Sequence, residues 1–343
     1  MWIDGGAPTR ELMQIAEKLC ESSESWQNAI GNFMLEWMNE SDVVDAKTSG
    51  STGKPKVFRL PKSLMKKSAE NTNKFFGQNQ DTRALLCLSA ENVGGKMMIV
   101  RALTQGWSLF CEEPSSTPNK QNLQFDFAAM VPLQVEKLLD EDPNRLNKTQ
   151  KIIIGGAPIS QRLERRIQQL SSLLFATYGM TETASHVALR QLNGTDRSQF
   201  FRLLPGIKAN QDQRGCLVLQ SDFFSSEIVT NDIVEFEDFD AFKWLGRYDN
   251  IINSGGVKIV PEQVEGKIED LFDRRFYISS QPDAQLGQRV VLHIEGAPLD
   301  SATKSLLQNE LVEILDKFEI PKELVFHAKF EETRTGKVNR KQS

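Results

Sequence analysis

The chain has 343 residues, 39% hydrophobic and 25% charged, with a formal net charge of −5, enough for one large domain and a smaller one. A weakly acidic balance argues against a nucleic-acid or anionic-membrane partner, since both call for basic patches. Cys20, Cys87, Cys111 and Cys216 are scattered, so neither a metal cluster nor a disulfide framework is expected; with no signal-peptide pattern and no apolar run near the roughly 20 residues of a membrane span, the expected location is the cytoplasm.

Residues 10–40 predict helices, with Leu12, Ile15 and Leu19 on one face and Ile30, Phe33, Met34 and Trp37 on another. Beyond Val43 come short apolar runs punctuated by Gly and Pro, among them residues 84–88, 151–154 and 173–178. Residues 159–170 predict a helix, because Ile159, Leu163, Ile167 and Leu170 recur at helical spacing. Strands alternating with helices predict an α/β fold with parallel pairing. Residues 215–244 hold brief β-like segments between turns and predict a β-rich, more antiparallel subdomain. A second α/β pattern follows, and its clearest helix has Asp300 as N-cap and carries Leu307, Leu311, Ile314, Leu315 and Phe318. The expected division is a large domain over residues 1–246 and a small, mobile α+β domain over 247–343.

The segment Thr48-Ser49-Gly50-Ser51-Thr52-Gly53-Lys54-Pro55-Lys56 is the first to carry chemistry. Polyphosphate needs many donors that approach closely. Glycines let backbone N–H groups converge, hydroxyls add donors and lysines balance charge. It is no Walker A loop, since Thr48 takes the first glycine's place and Pro55 follows Lys54. On composition alone a flexible surface turn is an equal reading. Tyr178-Gly179-Met180-Thr181-Glu182-Thr183 follows an apolar run and sits at an expected strand end, the ligand-binding edge of an open α/β sheet. Taken alone it is as well read as a turn with a helix cap. Gly155-Gly156-Ala157-Pro158, Thr230-Asn231-Asp232, Gly246-Arg247-Tyr248-Asp249-Asn250 with Gly255-Gly256, and Thr333-Arg334-Thr335-Gly336-Lys337 are each weak in isolation: turns, a linker and a basic tail.

In this order, however, the motifs resemble those of the adenylate-forming superfamily of acyl-CoA ligases, luciferases and adenylation domains, from Thr48 to Arg340. The resemblance implies that ATP is held by Thr48, Ser49, Gly50, Ser51, Thr52, Gly53 and Lys56, with Gly156 and Ala157 beside the nucleotide. Tyr178 and Gly179 would face adenine, Thr181 the α-phosphate, Asp232 the ribose and Arg247 the phosphate and ribose region. Glu182 would hold Mg²⁺, as suits a hard oxygen ligand. Lys337, with Thr181, Glu182 and Lys56, would carry catalysis. Asp249 would be the hinge, and Gly255 and Gly256 would line the path of coenzyme A, the co-substrate. Two departures stand out: Asn231 replaces the family's glycine, and Glu331 stands where relatives often carry proline.

Residues 184–186 (Ala-Ser-His) and residues 88–101 are similar to those of o-succinylbenzoate–CoA ligases of menaquinone synthesis, although Asn92 replaces a frequent histidine. That substrate has an aromatic ring and two carboxylates. The resemblance makes Lys96, Arg101, Ser185 and His186 the candidates for the acid, and an AMP-forming acid–CoA ligase the expected enzyme. Bland readings are a satisfied buried histidine and helix-surface cations. Alternatives are a ligase for another aryl or short-chain acid, or an inactive nucleotide-binding regulator. Only 47 residues precede Thr48, fewer than in most relatives, and a homodimer could supply the missing surface.

Overall fold

A computed structural model describes residues 1–48, 56–331, 338 and 340; at residues 47, 48, 56 and 57 the description is of the backbone alone. In chain order the first elements are β1 (Trp2–Asp4), α1 (Thr9–Cys20), α2 (Ser25–Met38), β2 (Val43–Thr48), β3 (Lys56–Pro61) and α3 (Lys62–Phe76). They are followed by β4 (Arg83–Leu86), α4 (Val93–Gln105), β5 (Ser108–Cys111), β6 (Phe125–Met130), α5 (Pro132–Glu141), β7 (Thr149–Ile154) and α6 (Gln161–Arg166). Next come β8 (Leu173–Gly179), β9 (His186–Gln191), β10 (Phe201–Leu203), β11 (Lys208–Gln211), β12 (Cys216–Gln220), β13 (Ile228–Asp238) and β14 (Ala241–Arg247). The last are β15 (Ile252–Ser254), β16 (Val257–Ile259), α7 (Pro261–Ile268), β17 (Phe276–Asp283), β18 (Gly287–Glu295), α8 (Ser301–Ile314) and β19 (Glu323–His327).

Two compact units result. The first comprises residues 1–159, 163–208 and 220–228, the second residues 160–162, 209–219 and 229–343. In the first unit the strands lie in the order β1-β5-β4-β6-β7-β8-β9-β10. The pairs from β5 through β4, β6 and β7 to β8 are parallel, whereas β1, β9 and β10 join antiparallel. Central strands such as β7, ending Ile152-Ile153-Ile154, are apolar on both faces because both faces are covered. Leu85, Phe110, Ala128, Ile152, Leu163 and Leu174 belong to one buried cluster there. The parallel α/β expectation is met.

The second unit sets β14, β13, β12 and β11 side by side, with β13 and β14 antiparallel. Its other sheet pairs β15 with β16, β15 with β18 and β17 with β18 antiparallel, and β19 beside β18 in parallel. Asp300 caps α8 as expected, accepting from the N–H groups of Ala302 and Thr303. Leu307, Leu311 and Leu315 are buried, but Ile314 is exposed, because the chain leaves the helix at Leu315 and the apolar face is handed on. Residues 159–170 differ from expectation in a similar way. The helix covers only Gln161–Arg166 and tightens to a 3-10 turn at Ile167–Gln169. Leu163 and Ile167 still face the core. Periodicity reports which side chains are buried, not which hydrogen bonds hold them.

Helix α4 is fitted to its neighbours by a close approach. A Cβ at Gly95 would lie 2.2 Å from the Ser89 carbonyl oxygen. Backbone cannot yield as a flexible side chain can, so any larger residue displaces the helix. Gly95→Ala is expected to lower unfolding stability by roughly 1–3 kcal/mol, read as a lower midpoint in chemical denaturation. An unchanged midpoint would show that α4 is free to shift.

Candidate active site

The sequence segment rich in Gly, Ser and Thr joins β2 to β3, whose antiparallel register is closed by the pair Thr48↔Lys56. The chain therefore enters and leaves the segment at adjacent, paired residues. Ser49, Gly50, Ser51, Thr52, Gly53 and Lys337 lie outside the described residues, and of Thr48 and Lys56 the backbone alone is described. In the second unit, just beyond Lys337, Arg340 is anchored to Glu265 at 2.8 Å and to Glu262 at 3.6 Å.

Strand β7 delivers the chain to Gly155 and Gly156 beside the carboxyl end of β8. A Cβ on Gly155 would stand 2.4 Å from Thr177 Oγ1, whose hydroxyl donates to the Ile154 carbonyl at 3.1 Å. Gly156 has φ 86°, a left-handed conformation that glycine adopts without strain. Tyr178 is half-buried, its ring 5.9 Å from that of Phe201 in an edge arrangement. The ladder to β9 then slips between Tyr178 and Gly179. Gly179 is packed so closely that a Cβ would meet the Ser185 carbonyl oxygen at 2.3 Å.

Thr181–Thr183 form a 3-10 turn. Thr183 stiffens it: its Oγ1 accepts from the Met180 N–H at 3.0 Å and stands 2.6 Å from the Ser185 carbonyl. Glu182 is exposed on this turn, and no partner for its carboxylate is found among the described residues. No group of three metal-ligating side chains occurs among them either. One open carboxylate on a rigid turn is a poor zinc site but fits Mg²⁺, which commonly takes one or two carboxylates and completes its shell with phosphate oxygens and water.

The acid candidates separate. Arg101 is 2% exposed; its Nη2 donates to Ser185 Oγ at 2.9 Å, while its Nε has no hydrogen-bond partner. Burial pushes its pKa down to about 9. His186 is buried beside it, with Nδ1 3.4 Å from Ser185 Oγ and Nε2 3.2 Å from Thr72 Oγ1. Burial, and then the charge on Arg101, hold the His186 pKa well below the ordinary 6.5. Lys96 stands apart. Residues five apart on a helix point roughly 140° away from each other, and the Lys96 ammonium is already engaged. It pairs with Glu36 at 3.2 Å, donates to the Asp45 carbonyl at 2.8 Å and sits 4.8 Å from the Phe33 ring centroid. It thereby ties α4 to α2 and to β2, the strand that leads into the Gly/Ser/Thr segment.

In the second unit Asp232 and Arg247 are register partners on β13 and β14. Asp232 Oδ1 accepts from Trp244 Nε1 at 3.1 Å and from Arg247 Nη1 at 3.5 Å. Arg247 Nη2 donates to Asp249 Oδ2 at 3.1 Å, and Asn231 Nδ2 does so at 3.3 Å. Asn231 in turn accepts from Arg214 at 2.8 Å. Gly255 and Gly256, with φ 59° and 83°, make the two-residue turn between β15 and β16. Both positive φ values are what such a hairpin demands, so the turn by itself accounts for the glycines.

Sequence reasoning missed Thr72, Trp244 and Arg214. Trp244 and Arg214 carry no local motif. For Thr72 there was a faint signal: α3 buries Ser68, Asn71, Thr72 and Asn73, and polar residues on the buried side of a helix seek partners.

Two outcomes follow from the group formed by buried Arg101 and His186 with half-buried Ser185 between them. Arg101→Met replaces a buried charge that no carboxylate compensates among the described residues with an apolar chain of similar length. It is expected to unfold within about 1 kcal/mol of the wild type or at higher stability, as denaturant melts will read. His186 has a depressed pKa, so its contribution to stability is complete above about 6.5 and is lost as pH falls below that value, where the unfolded chain takes a proton the folded one declines. His293, lowered from 6.5 to about 4, acts in the same direction. The histidine contribution to the unfolding free energy should therefore decline from about pH 7 to about pH 5, against the opposite trend of Glu265, whose pKa burial pushes up to about 6, and His186→Gln should remove its share of that decline.

Comparison with known proteins accords with the motif order. A family profile described as AMP-binding enzyme matches residues 39–209. A solved structure, an acyl-CoA synthetase (AMP-forming)/AMP-acid ligase II-like protein of Dyadobacter fermentans, is 34% identical, covers 99% of this chain and 98% of its own, and superposes with a TM-score of 0.67. A 2-succinylbenzoate--CoA ligase of Lactococcus lactis is 26% identical over 96% of this chain and 77% of its own length. The fold is also that of the o-succinylbenzoate CoA synthetase of Bacillus subtilis, solved with the acyl-adenylate OSB-AMP, at 18% identity and a TM-score of 0.75 over 99% of this chain and 81% of that one. Among the described residues no helix is long and apolar enough to cross a membrane. With near-complete mutual coverage of a relative more than 30% identical, the chain belongs to the AMP-binding, adenylate-forming enzymes, alongside the AMP-forming acyl-CoA synthetases.

Proposed function

We propose that the protein joins o-succinylbenzoate to coenzyme A using ATP, through an acyl-adenylate, as a cytoplasmic step of menaquinone synthesis. The curated relative from Lactococcus lactis bears that activity in its name, as does one from Haemophilus influenzae, 26% identical over 79% of this chain and 62% of its own length. The observation that carries the choice of acid is Arg101: a buried guanidinium with an unpartnered Nε and no carboxylate beside it among the described residues. A cation kept in such a place favours a substrate that brings an anion. An acid with a second carboxylate, not the one activated, does so.

In the first step a carboxylate oxygen attacks the α-phosphorus of ATP and the bond to pyrophosphate breaks. In the second, the CoA thiolate attacks the acyl carbon and AMP leaves. Residues 48–53 and Lys56 would hold the departing phosphates, with Thr181 at the α-phosphate and Gly156, Ala157, Tyr178 and Gly179 around the base. Glu182 would hold Mg²⁺, which when bound offsets phosphate charge. Asp232 would take the ribose hydroxyls and Arg247 would neighbour them. Lys337 would place positive charge where it accumulates in the first transition state. Asp249 is the proposed pivot between residues 1–246 and 247–343, and Gly255 and Gly256 the proposed path of the pantetheine arm.

Pyrophosphate release should be greatest with o-succinylbenzoate when it is compared with benzoate, succinate and fatty acids. Loss of charged hydrogen bonds in Arg101→Gln should raise KM for o-succinylbenzoate by roughly 10- to 100-fold, without a matching effect on any monocarboxylate turned over. An equal effect on both would remove Arg101 from acid recognition. Lys337→Ala should slow adenylation by roughly 10²- to 10³-fold while sparing thioester formation from preformed adenylate; parallel loss of both half-reactions would refute the assigned role.

A further inference from the structure

Proton counting gives a direction to each hydrogen bond in the chain that runs from Thr72 through His186 and Ser185 to Arg101. Thr72 has one hydroxyl proton, which we assign to the Ser68 carbonyl, the nearer of its two neighbours at 3.0 Å and a group that only accepts. Toward His186 Nε2, 3.2 Å away, Thr72 Oγ1 can then only accept. Nε2 must carry the ring proton. Because a neutral imidazole has one such proton, Nδ1 is bare and accepts from the Ser185 hydroxyl at 3.4 Å. With its own proton turned toward His186, Ser185 Oγ presents lone pairs to Arg101 Nη2 at 2.9 Å.

From this chain we infer that Thr72 is a positioning residue: it fixes the tautomer of His186, and through Ser185 it fixes Arg101. The inference rests on the ligase reading for its consequence, though not for its geometry. Its consequence is a division of labour. Ser185 holds the arginine and has no proton left to offer an acid. The recognition of a second carboxylate falls to the remaining guanidinium N–H groups, Nε–H among them. Burial and the charge on Arg101, which keep His186 neutral, support the single-proton count.

The test is a ¹H–¹⁵N long-range imidazole correlation on the labelled full-length chain near neutral pH. The chain has three histidines, and His186 is identified by the signals missing in His186→Gln. A pyrrole-type Nε2 and a bare Nδ1 are expected. Thr72→Val removes the acceptor without changing the size of the side chain. It should mix the tautomers and raise KM for o-succinylbenzoate by roughly 3- to 10-fold with kcat little changed. Thr72→Ser should restore both. A wild-type His186 protonated at Nδ1, or a Val variant with the wild-type spectrum and KM, overturns the assignment. Should the Val variant not fold, the wild-type spectrum still decides the tautomer. A chain that shows the expected tautomer yet activates no dicarboxylic acid keeps the positioning role and sinks the ligase reading instead.

Discussion

An arginine held in the interior with no carboxylate beside it among the described residues is the constraint to which the first unit is adapted. Removing a guanidinium from water costs several kcal/mol, and the hydrogen bonds it donates to Ser185 Oγ and, more weakly, to Met98 Sδ return only a fraction of it. A leucine or methionine at position 101 would pack at no such cost. Selection for stability alone would not keep arginine there. The planar fork of the side chain, with more N–H groups than Ser185 can accept from, is suited to a planar anion. On the proposed reading, a cation that is already buried and already held loses less on meeting such an anion than one that must first be ordered.

Holding that arginine in place requires rigid walls, and two glycines supply them by omission. Gly95 lets α4 approach the Ser89 carbonyl, and Gly179 lets the end of β8 approach the Ser185 carbonyl. One contact sets the helix that carries Arg101; the other sets the strand end beside which Ser185 and His186 stand. The register slip between Tyr178 and Gly179 belongs to the same arrangement. It turns the chain out of the ladder, so that Tyr178 and Glu182 are presented at the strand's end while His186 is buried. Chemistry proposed for the nucleotide and chemistry proposed for the acid thus share one strand-turn-strand unit.

Much of this was legible in the sequence, for definable reasons. Parallel strands buried on both faces leave apolar runs, and glycine turns with their hydroxyl and carboxylate neighbours leave short motifs whose order is specific. What could not be read was which of two cations on one helix is unpaired. Lys96 and Arg101 look alike in sequence, yet Glu36, 60 residues from Lys96, neutralises one of them, and nothing comparable reaches the other among the described residues. Thr72, 114 residues from His186, was equally hidden. Pairings across such separations are made by packing and leave no local pattern. The glycines at 255 and 256 teach the reverse caution. The family resemblance assigns them to a ligand, yet their hairpin already requires them.

The two arginines proposed to meet substrate are built on opposite principles, and the contrast follows from their surroundings. Arg247 is 44% exposed and is shared between Asp232 and Asp249. Water screens it and two carboxylates neutralise it, so an approaching phosphate must exchange partners with them, and the net gain is small. Such a group suits a contact that is made and released within one catalytic cycle. Among the described residues Arg101 has no carboxylate to exchange, and it is almost wholly buried, so on the proposed reading water would screen its attraction for a matching anion far less. On that proposal the buried cation is the place for specificity and the exposed one the place for turnover.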